Sequence, residues 1–266
     1  TAVDPVAKRV AVVDLETERS FREPYDKLIL ATGARPIKPR IPGIDLPGVH
    51  TLTTIPDAEA VKAGALVQPA EEAVVVGAGF IGLEAVEALL ARGRRVRLVE
   101  KLPQVLPPLD AEMAAEVAAH LAQRGVALDL GAEVTAFLGD DTLRAVQLRD
   151  GRTIAAHMAI VAIGVSPDLT LARQAGLQLG EAGGLVVDDH MRTSDPDIYA
   201  CGDIVESRDL ATGRQMRFPL AGPANKQGRV AGANAAGGDM EFKGALGTFI
   251  VKVCDLTAAK VGLSAR

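Results

Sequence analysis

Gly77, Gly79 and Gly82 stand in the stretch VVVGAGFIGLE at the spacing G-x-G-x-x-G, a pattern suited to gripping a phosphate. The first glycine permits a tight turn, the second lets backbone approach a pyrophosphate, and the third lets a helix pack closely on a strand. Alone, such a match is weak; its surroundings give it weight. An apolar run arrives as a strand, FIGLEAVEALL leaves with helical spacing, and Glu100 ends the next strand 18 residues beyond Gly82. An anion held at the turn would meet unpaired N–H groups and the positive end of the helix dipole. A carboxylate at Glu100 can accept hydrogen bonds from both adenine-ribose hydroxyls and repels a 2′-phosphate. Lys101 and Arg97 lie close by in sequence and could offset that repulsion. The acid favours NADH over NADPH.

The elements that must position these residues are legible along the chain. Val10 to Asp14 begins a hairpin that turns at LETERS, and YDKLILATG is a buried strand ending at Gly33. ARPIKPRIPGIDLPG is too rich in Pro and Gly for a helix or central strand, so it reads as a crossover between domains. PDAEAVKAGAL is a short helix with Asp57 near its start. EAVVVGAG and RVRLVE are strands flanking the helix FIGLEAVEALLAR, which Gly93 closes. LDAEMAAEVAAHLAQRG is a second helix, with Asp110 as N-cap and Gly125 as stop. VALDL, EVTAFLG, TLRAVQLRDG and TIAAHMAIVAIG follow as strands, the last two joined at an Asp-Gly turn. GGLVVDDHMRTSDPDIYACGD reads as two strands around a turn, and GPANKQGRVAGANAAGG as a helix of small residues. The alternation of strand and helix in the middle implies a parallel sheet.

Composition narrows the function. A chain of 266 residues with 48% apolar and 24% charged residues can bury one or two real cores. A net charge of −5, and 3% aromatics with no Trp, argue against a nucleic-acid partner. The longest apolar runs are too short to span a bilayer. Cys201 and Cys254 are 53 positions apart without a CxxC, so each reads as a small buried apolar residue. No metal-ligand spacing appears, and the scattered histidines, His50, His120, His157 and His190, earn no catalytic role.

Several segments, in order, carry a resemblance. YDKLILATGARP, VVVGAGFIGLEAVEAL, AIVAIGVSPD, IYACGD, PLAGPANKQGRVAGANAAGG and GTFIVKVCDLTAAKVGL together resemble the pyridine nucleotide–disulfide oxidoreductases. The likeness is to the branch of NADH oxidases, NADH peroxidases and coenzyme A-disulfide reductases. It implies an α/β fold: a Rossmann-like NAD domain with a parallel sheet and β-meander, inserted in a partial FAD domain of the same general type. The implied divisions are residues 1–47 and 166–242 for the FAD domain, 48–165 for the NAD(P)-binding domain, and 243–266 for the start of an interface domain. The implied cofactors are FAD and NAD, with hydride passing from NADH to flavin and on to a disulfide, peroxide or oxygen.

The resemblance also assigns residues. Gly77, Gly79, Ile81, Gly82, Glu100 and Lys101 fall at the NAD site. Asp203 would bind the ribityl–phosphate part of FAD, with Gly202 allowing close approach. Thr32 and Gly33 would line the flavin side, and Leu220, Ala221 and Gly222 would bring a helix start to the flavin ring. Phe80 falls where the family often has an aromatic gating the flavin face; its alternative is helix–sheet packing. Glu84 would face the nicotinamide pocket, or else be a solvated helix acid, and Gly164 and Val165 would close over the nicotinamide. Asp168 sits where this branch commonly has Asn.

The family's first FAD-binding segment and its redox cysteine have no counterpart here, so no catalytic residue is assigned. Both ends read as cut, which implies a fragment that holds the NADH site, retains FAD poorly and has no disulfide turnover by itself. The implied parent is a homodimer acting on a small molecule, with no membrane or nucleic-acid partner. The lack of a signal pattern and of a disulfide framework points to the cytoplasm. Two further readings stay open: a reductase feeding ferredoxin or rubredoxin, and a non-catalytic NADH-binding module.

Overall fold

β1 (Ala2–Asp4), β2 (Arg9–Val13) and β3 (Ser20–Pro24) form an antiparallel meander. Asp14 closes its second turn by accepting from the N–H groups of Glu16 and Thr17 at 2.9 and 3.0 Å, an Asx turn. The computed structural model describes residues 2–66 and 72–264. The outer limits of the first and last expected divisions, residues 1 and 265–266, lie outside these. Contacts divide the chain into Thr1–Arg35 with Ser166–Thr248, and Pro36–Val165 with Phe249–Arg266. After β4 (Leu28–Leu30), the chain passes from the first unit to the second through β5 (Ala34–Pro36).

The second unit is a five-stranded, wholly parallel sheet flanked by helices. Its strands begin with β6 (Val49–His50), which α1 (Ile55–Gly64) follows. Thr54 and Asp57 make a reciprocal capping box on α1, which satisfies two N-terminal donors at once. β7 (Glu72–Val76), α2 (Phe80–Leu90), β8 (Arg95–Glu100), α3 (Ala111–Gln123) and β9 (Ala127–Leu130) then build two parallel strand–helix–strand steps. Gly93 ends the first helical step at φ +71° and Gly125 the second at φ +83°, conformations that glycine adopts without Cβ strain. Ala73, Val74 and Val75 on β7 are fully buried, as expected of a strand covered on both faces.

β10 (Val134–Leu138), β11 (Ala145–Leu148) and β12 (Thr153–Ala155) form the antiparallel meander, turning at Asp150 and Gly151. TIAAHMAIVAIG is not one strand. It breaks at Ala156 and His157 into β12 and β13 (Met158–Val161), and β13 joins the parallel sheet between β6 and β7. The break lets the chain change sheets while Ile154, Ala156 and Met158 all stay buried. The sheet order β6-β13-β7-β8-β9 reverses direction between β7 and β13, the position where doubly wound sheets open a crevice beyond their strand ends.

β14 (Val165–Pro167) pairs with β5 where the chain returns. The first unit then adds α4 (Thr170–Gln174) and β15 (Ile198–Ala200), which runs parallel to β4. β16 (Ser207–Arg208) and β17 (Gln215–Met216) make a short hairpin before α5 (Ala221–Ala235). GGLVV forms no strand; only single bridges from Leu185 to Leu179 and Val205 remain. The first expected strand is replaced by a loop in which Asp188 accepts from the N–H groups of His190 and Arg192, while the second forms as β15. β18 (Phe249–Val253) and β19 (Leu256–Lys260) form a hairpin whose buried side joins the core of α2 and α3. By contacts, Phe249 onward groups with the nucleotide unit, while the residues up to Thr248 group with the first unit.

Asn234, buried near the end of α5, holds the loop that follows. Its Nδ2 donates to the carbonyls of His190 and Met240 at 2.9 and 2.8 Å, and its Oδ1 accepts from Met240 N at 2.7 Å. Asn234→Ala leaves those buried backbone groups unsatisfied, and it should lower stability in urea unfolding by about 2–3 kcal/mol. A loss below about 0.5 kcal/mol would show that the loop is held elsewhere.

Candidate functional site

In the nucleotide unit the glycine turn leaves β7 and enters α2. Gly77 sits at φ +103°, and a Cβ there would lie 2.4 Å from the carbonyl oxygen of Ala162. A Cβ on Gly82 would lie 1.9 Å from the carbonyl oxygen of Gly77, whereas one on Gly79 would meet nothing within 4 Å. Two glycines thus fit the chain against itself, and the middle one leaves open space beside the helix start. No side chain caps that start, since Gly79 is the N-cap residue, so its N–H groups remain suited to an anion. These features fit a dinucleotide pyrophosphate.

Glu100 is 8% exposed. Its Oε2 accepts from Ala78 N and its Oε1 from Leu102 N, both at 2.7 Å. The structure thereby brings Glu100 to the glycine turn itself. A carboxylate offers about four acceptor sites, so two remain for hydroxyl groups after both backbone bonds are made. Lys101, next in sequence, pairs with Glu133 at 3.2 Å. Arg97 is held by Glu72 at 2.7 Å and Asp129 at 2.8 Å.

The remaining residues of this unit divide. Ile81 is half-buried on the first turn of α2, and Glu84 is exposed on the second with no hydrogen bond or ion pair among the described residues. Phe80 packs edge-to-face on Phe249 with ring centroids 4.7 Å apart, so its ring takes part in helix–hairpin packing. Gly164, at φ +118°, accepts from Ile37 N at 3.0 Å, and Val165 follows it half-buried. Both lie past the end of β13, at the same end of the sheet as the glycine turn.

In the other unit, β4 and β15 run side by side, and their continuations carry the expected flavin residues. Gly33, at φ +66°, and Gly202, at φ +81°, each follow a strand end. Gly202 N donates to Gln227 Oε1 at 2.9 Å, and a Cβ on Gly202 would lie 3.8 Å from that of Ala224. These contacts set the Asp203 turn beside the first half of α5, whose start at Leu220, Ala221 and Gly222 has no side-chain cap. Asp203 is half-buried, and its carboxylate accepts no hydrogen bond among the described residues. Burial pushes its carboxyl above the ordinary range, and Arg217 opposes that shift. A desolvated acceptor without donors fits the hydroxyl-rich part of a flavin cofactor.

Thr32 and Gly33 are held from another side. Thr32 Oγ1 donates to the Asp168 carbonyl at 2.7 Å, and Asp168 N donates to the Gly33 carbonyl at 2.9 Å. The Asp168 side chain accepts from Thr170 Oγ1 at 2.7 Å and from Arg35 Nη2 at 2.7 Å. Those bonds, Thr170 foremost, hold its carboxyl below the usual range. Asp168, Gln227 and Glu133 went unassigned in the sequence because each acts through a partner remote in the chain. Burial pushes the thiols of Cys201 and Cys254 upward, which disfavours the reactive thiolate. Among the described residues no group of three metal-ligating side chains forms, and no helix is long and apolar enough to cross a membrane.

Comparison with known proteins bears on both sites. A family model described as pyridine nucleotide-disulphide oxidoreductase matches residues 1–228. An NADH oxidase from Methanocaldococcus jannaschii is 39% identical over 264 residues, covering 99% of this chain and 58% of that protein. The solved structure of a NAD-dependent persulfide reductase from A. fulgidus is 42% identical with a TM-score of 0.95, covering 100% of this chain and 49% of that one. An FAD-dependent pyridine nucleotide-disulphide oxidoreductase from Desulfovibrio vulgaris is 38% identical with a TM-score of 0.91, covering 99% and 67%. The chain spans about half the length of the curated relatives it matches.

Asp203 yields a prediction about stability. A carboxyl raised by burial is disfavoured when ionised, so its penalty grows as pH rises through the folded-state value. Asp203→Asn should raise the melting temperature of the cofactor-free chain at pH 7. The gain should shrink as pH falls toward about 4, where the unfolded carboxyl is also protonated. Thermal scans across that range showing a destabilised variant at neutral pH would contradict the assignment.

Proposed function

The chain belongs to the pyridine nucleotide-disulphide oxidoreductase family, and on that footing we propose that it carries the NADH-binding part of an FAD-dependent oxidoreductase. When bound, the nicotinamide supplies a hydride and the flavin relays its electrons to a small acceptor. The residues of this chain bind and orient. We assign dinucleotide binding to 48–165, flavin binding to 1–47 and 166–242, and an interface to 243–266.

The observation that carries the reading is the joined pair of glycine turn and Glu100. Open space at Gly79, an uncapped helix start and a carboxylate fixed against Ala78 supply pyrophosphate and ribose contacts together. Ile81 and Glu84 on the first turns of α2, with Gly164 and Val165 past β13, are the residues for the nicotinamide end. In the flavin portion, Asp203 and Gly202 would hold the ribityl–phosphate chain. Thr32 and Gly33 would line the flavin, and the α5 start at Leu220–Gly222 would place positive dipole character near the ring.

For the acceptor, a disulfide or persulfide is supported by the likeness to a persulfide reductase, and oxygen by the likeness to an NADH oxidase. A homodimeric parent is supported by exposed apolar side chains near the chain end, Ile250 on the terminal hairpin at 75% and Val261 and Leu263 just past it at 65% and 66%. Two free cysteines suit a reducing compartment such as the cytoplasm.

Titration calorimetry tests the reading. The folded chain should give saturable heat with NADH, and Glu100→Ala should weaken binding about tenfold through the lost ribose contacts. Circular dichroism controls for folding of the variant. Absence of heat with either pyridine coenzyme, in a sample shown to be folded, would refute the proposal.

A further inference from the structure

Resting on the dinucleotide reading above, one problem remains at the end of β8. Glu100 repels a 2′-phosphate, yet Lys101 follows it directly, and a cation there would attract the same phosphate. Arg97 is removed from consideration by its bonds to Glu72 and Asp129. Lys101 is not removed by burial, since its side chain is 70% exposed. What engages it is Glu133, in the connection between β9 and β10.

Glu133 is itself positioned. Arg149, at the end of β11, donates to its Oε2 at 2.7 Å, and Lys101 Nζ reaches its Oε1 at 3.2 Å. The backbone repeats the tie, because Arg149 N donates to the Glu133 carbonyl at 2.8 Å. Lys101, Glu133, Arg149 and Asp150 line a partly open cavity of about 300 Å3 beside the strand end. Asp150 is spent on Arg152, at 2.7 Å, so Glu133 is the acid that meets Lys101. The two bonds hold the Glu133 carboxyl below the usual range, Arg149 acting first, so it stays charged at neutral pH.

We propose that Glu133 is a specificity-determining residue of the dinucleotide site: fixed by Arg149, it occupies Lys101 and so withholds that cation from a 2′-phosphate. Discrimination between NADH and NADPH then rests on two acids. Glu100 accepts the ribose hydroxyls, and Glu133 acts at one remove, through Lys101. Glu133→Gln keeps the shape and removes the charge, leaving Lys101 free to meet a phosphate.

Calorimetric titration of the whole chain with NADH and with NADPH measures the effect as a ratio. Glu133→Gln should tighten NADPH binding about fivefold, the scale of an exposed ion pair, while NADH affinity stays within about twofold. The gain should fade between about 0.05 and 0.5 M salt, as exposed charges become screened. Adding Lys101→Ala to the variant should abolish it. A structural role would instead weaken both coenzymes together and lower the melting temperature. If the wild-type chain binds NADH and the ratio does not move, or the gain survives loss of Lys101, this inference alone is overturned. If the folded wild type binds neither coenzyme, the dinucleotide reading falls and takes this inference with it.

Discussion

The nucleotide unit depends on one buried carboxylate meeting one peptide. Glu100 accepts from Ala78 N, while the Ala78 carbonyl accepts from Leu106 N at 2.9 Å, so the central residue of the glycine turn is gripped through both of its peptide groups. Burying a carboxylate is costly unless its oxygens find donors. Here both do, and each bond to a charged acceptor contributes roughly 1.5–3 kcal/mol. The steric boundaries at Gly77 and Gly82 then leave the turn little room to relax. Leu106 is fully buried at φ +43°, a conformation that costs on the order of 1–3 kcal/mol for a residue with a side chain. Val105 and Leu106, both 0% exposed, offset that cost by apolar burial. A turn held this firmly loses little entropy when a ligand arrives.

The first unit handles its polar groups in two different ways. Gln227 and Asp168 are satisfied and hold the backbone of Gly202 and Gly33 and the hydroxyl of Thr32 in place. Asp203 is left without donors among the described residues, half-buried, and correspondingly uncomfortable in its charged form. A fully satisfied carboxylate would stabilise the chain but would have less to offer a hydroxyl-bearing ligand. The contrast with Glu100 is one of kind, since Glu100 keeps spare acceptor sites while already bonded to backbone.

Much of this was legible because local rules decide it. The glycine spacing, the helix start marked by Asp57, Gly93 and Gly125 as helix stops, and the Asp150–Gly151 turn each follow from neighbours within a few residues. Where partners are distant, the sequence is silent. Apolar residues run on through TIAAHMAIVAIG, so nothing local marks the point where β12 leaves one sheet and β13 enters another. GGLVV has strand-like composition, but Leu185 finds only single bridging partners, and composition alone does not supply a ladder. Lys101 and Glu133 are 32 positions apart, and Asp168 meets Arg35 across 133. Charges at such separations acquire meaning only once the fold brings them together.

Phe80 ties the start of α2 to the terminal hairpin through one side chain. An edge-to-face pair is worth about 0.5–1.5 kcal/mol beyond its buried area. Turning the ring away from Phe249 forfeits that amount plus part of its burial. The backbone beneath is held separately, because Leu83 N bonds to the Gly79 carbonyl at 3.0 Å and Gly82 is wedged against Gly77. The first turn of α2 is therefore held in its main chain by hydrogen bonding and close backbone packing, and at one aromatic ring by the terminal hairpin. Those two restraints keep the glycine turn and the uncapped helix start in one geometry.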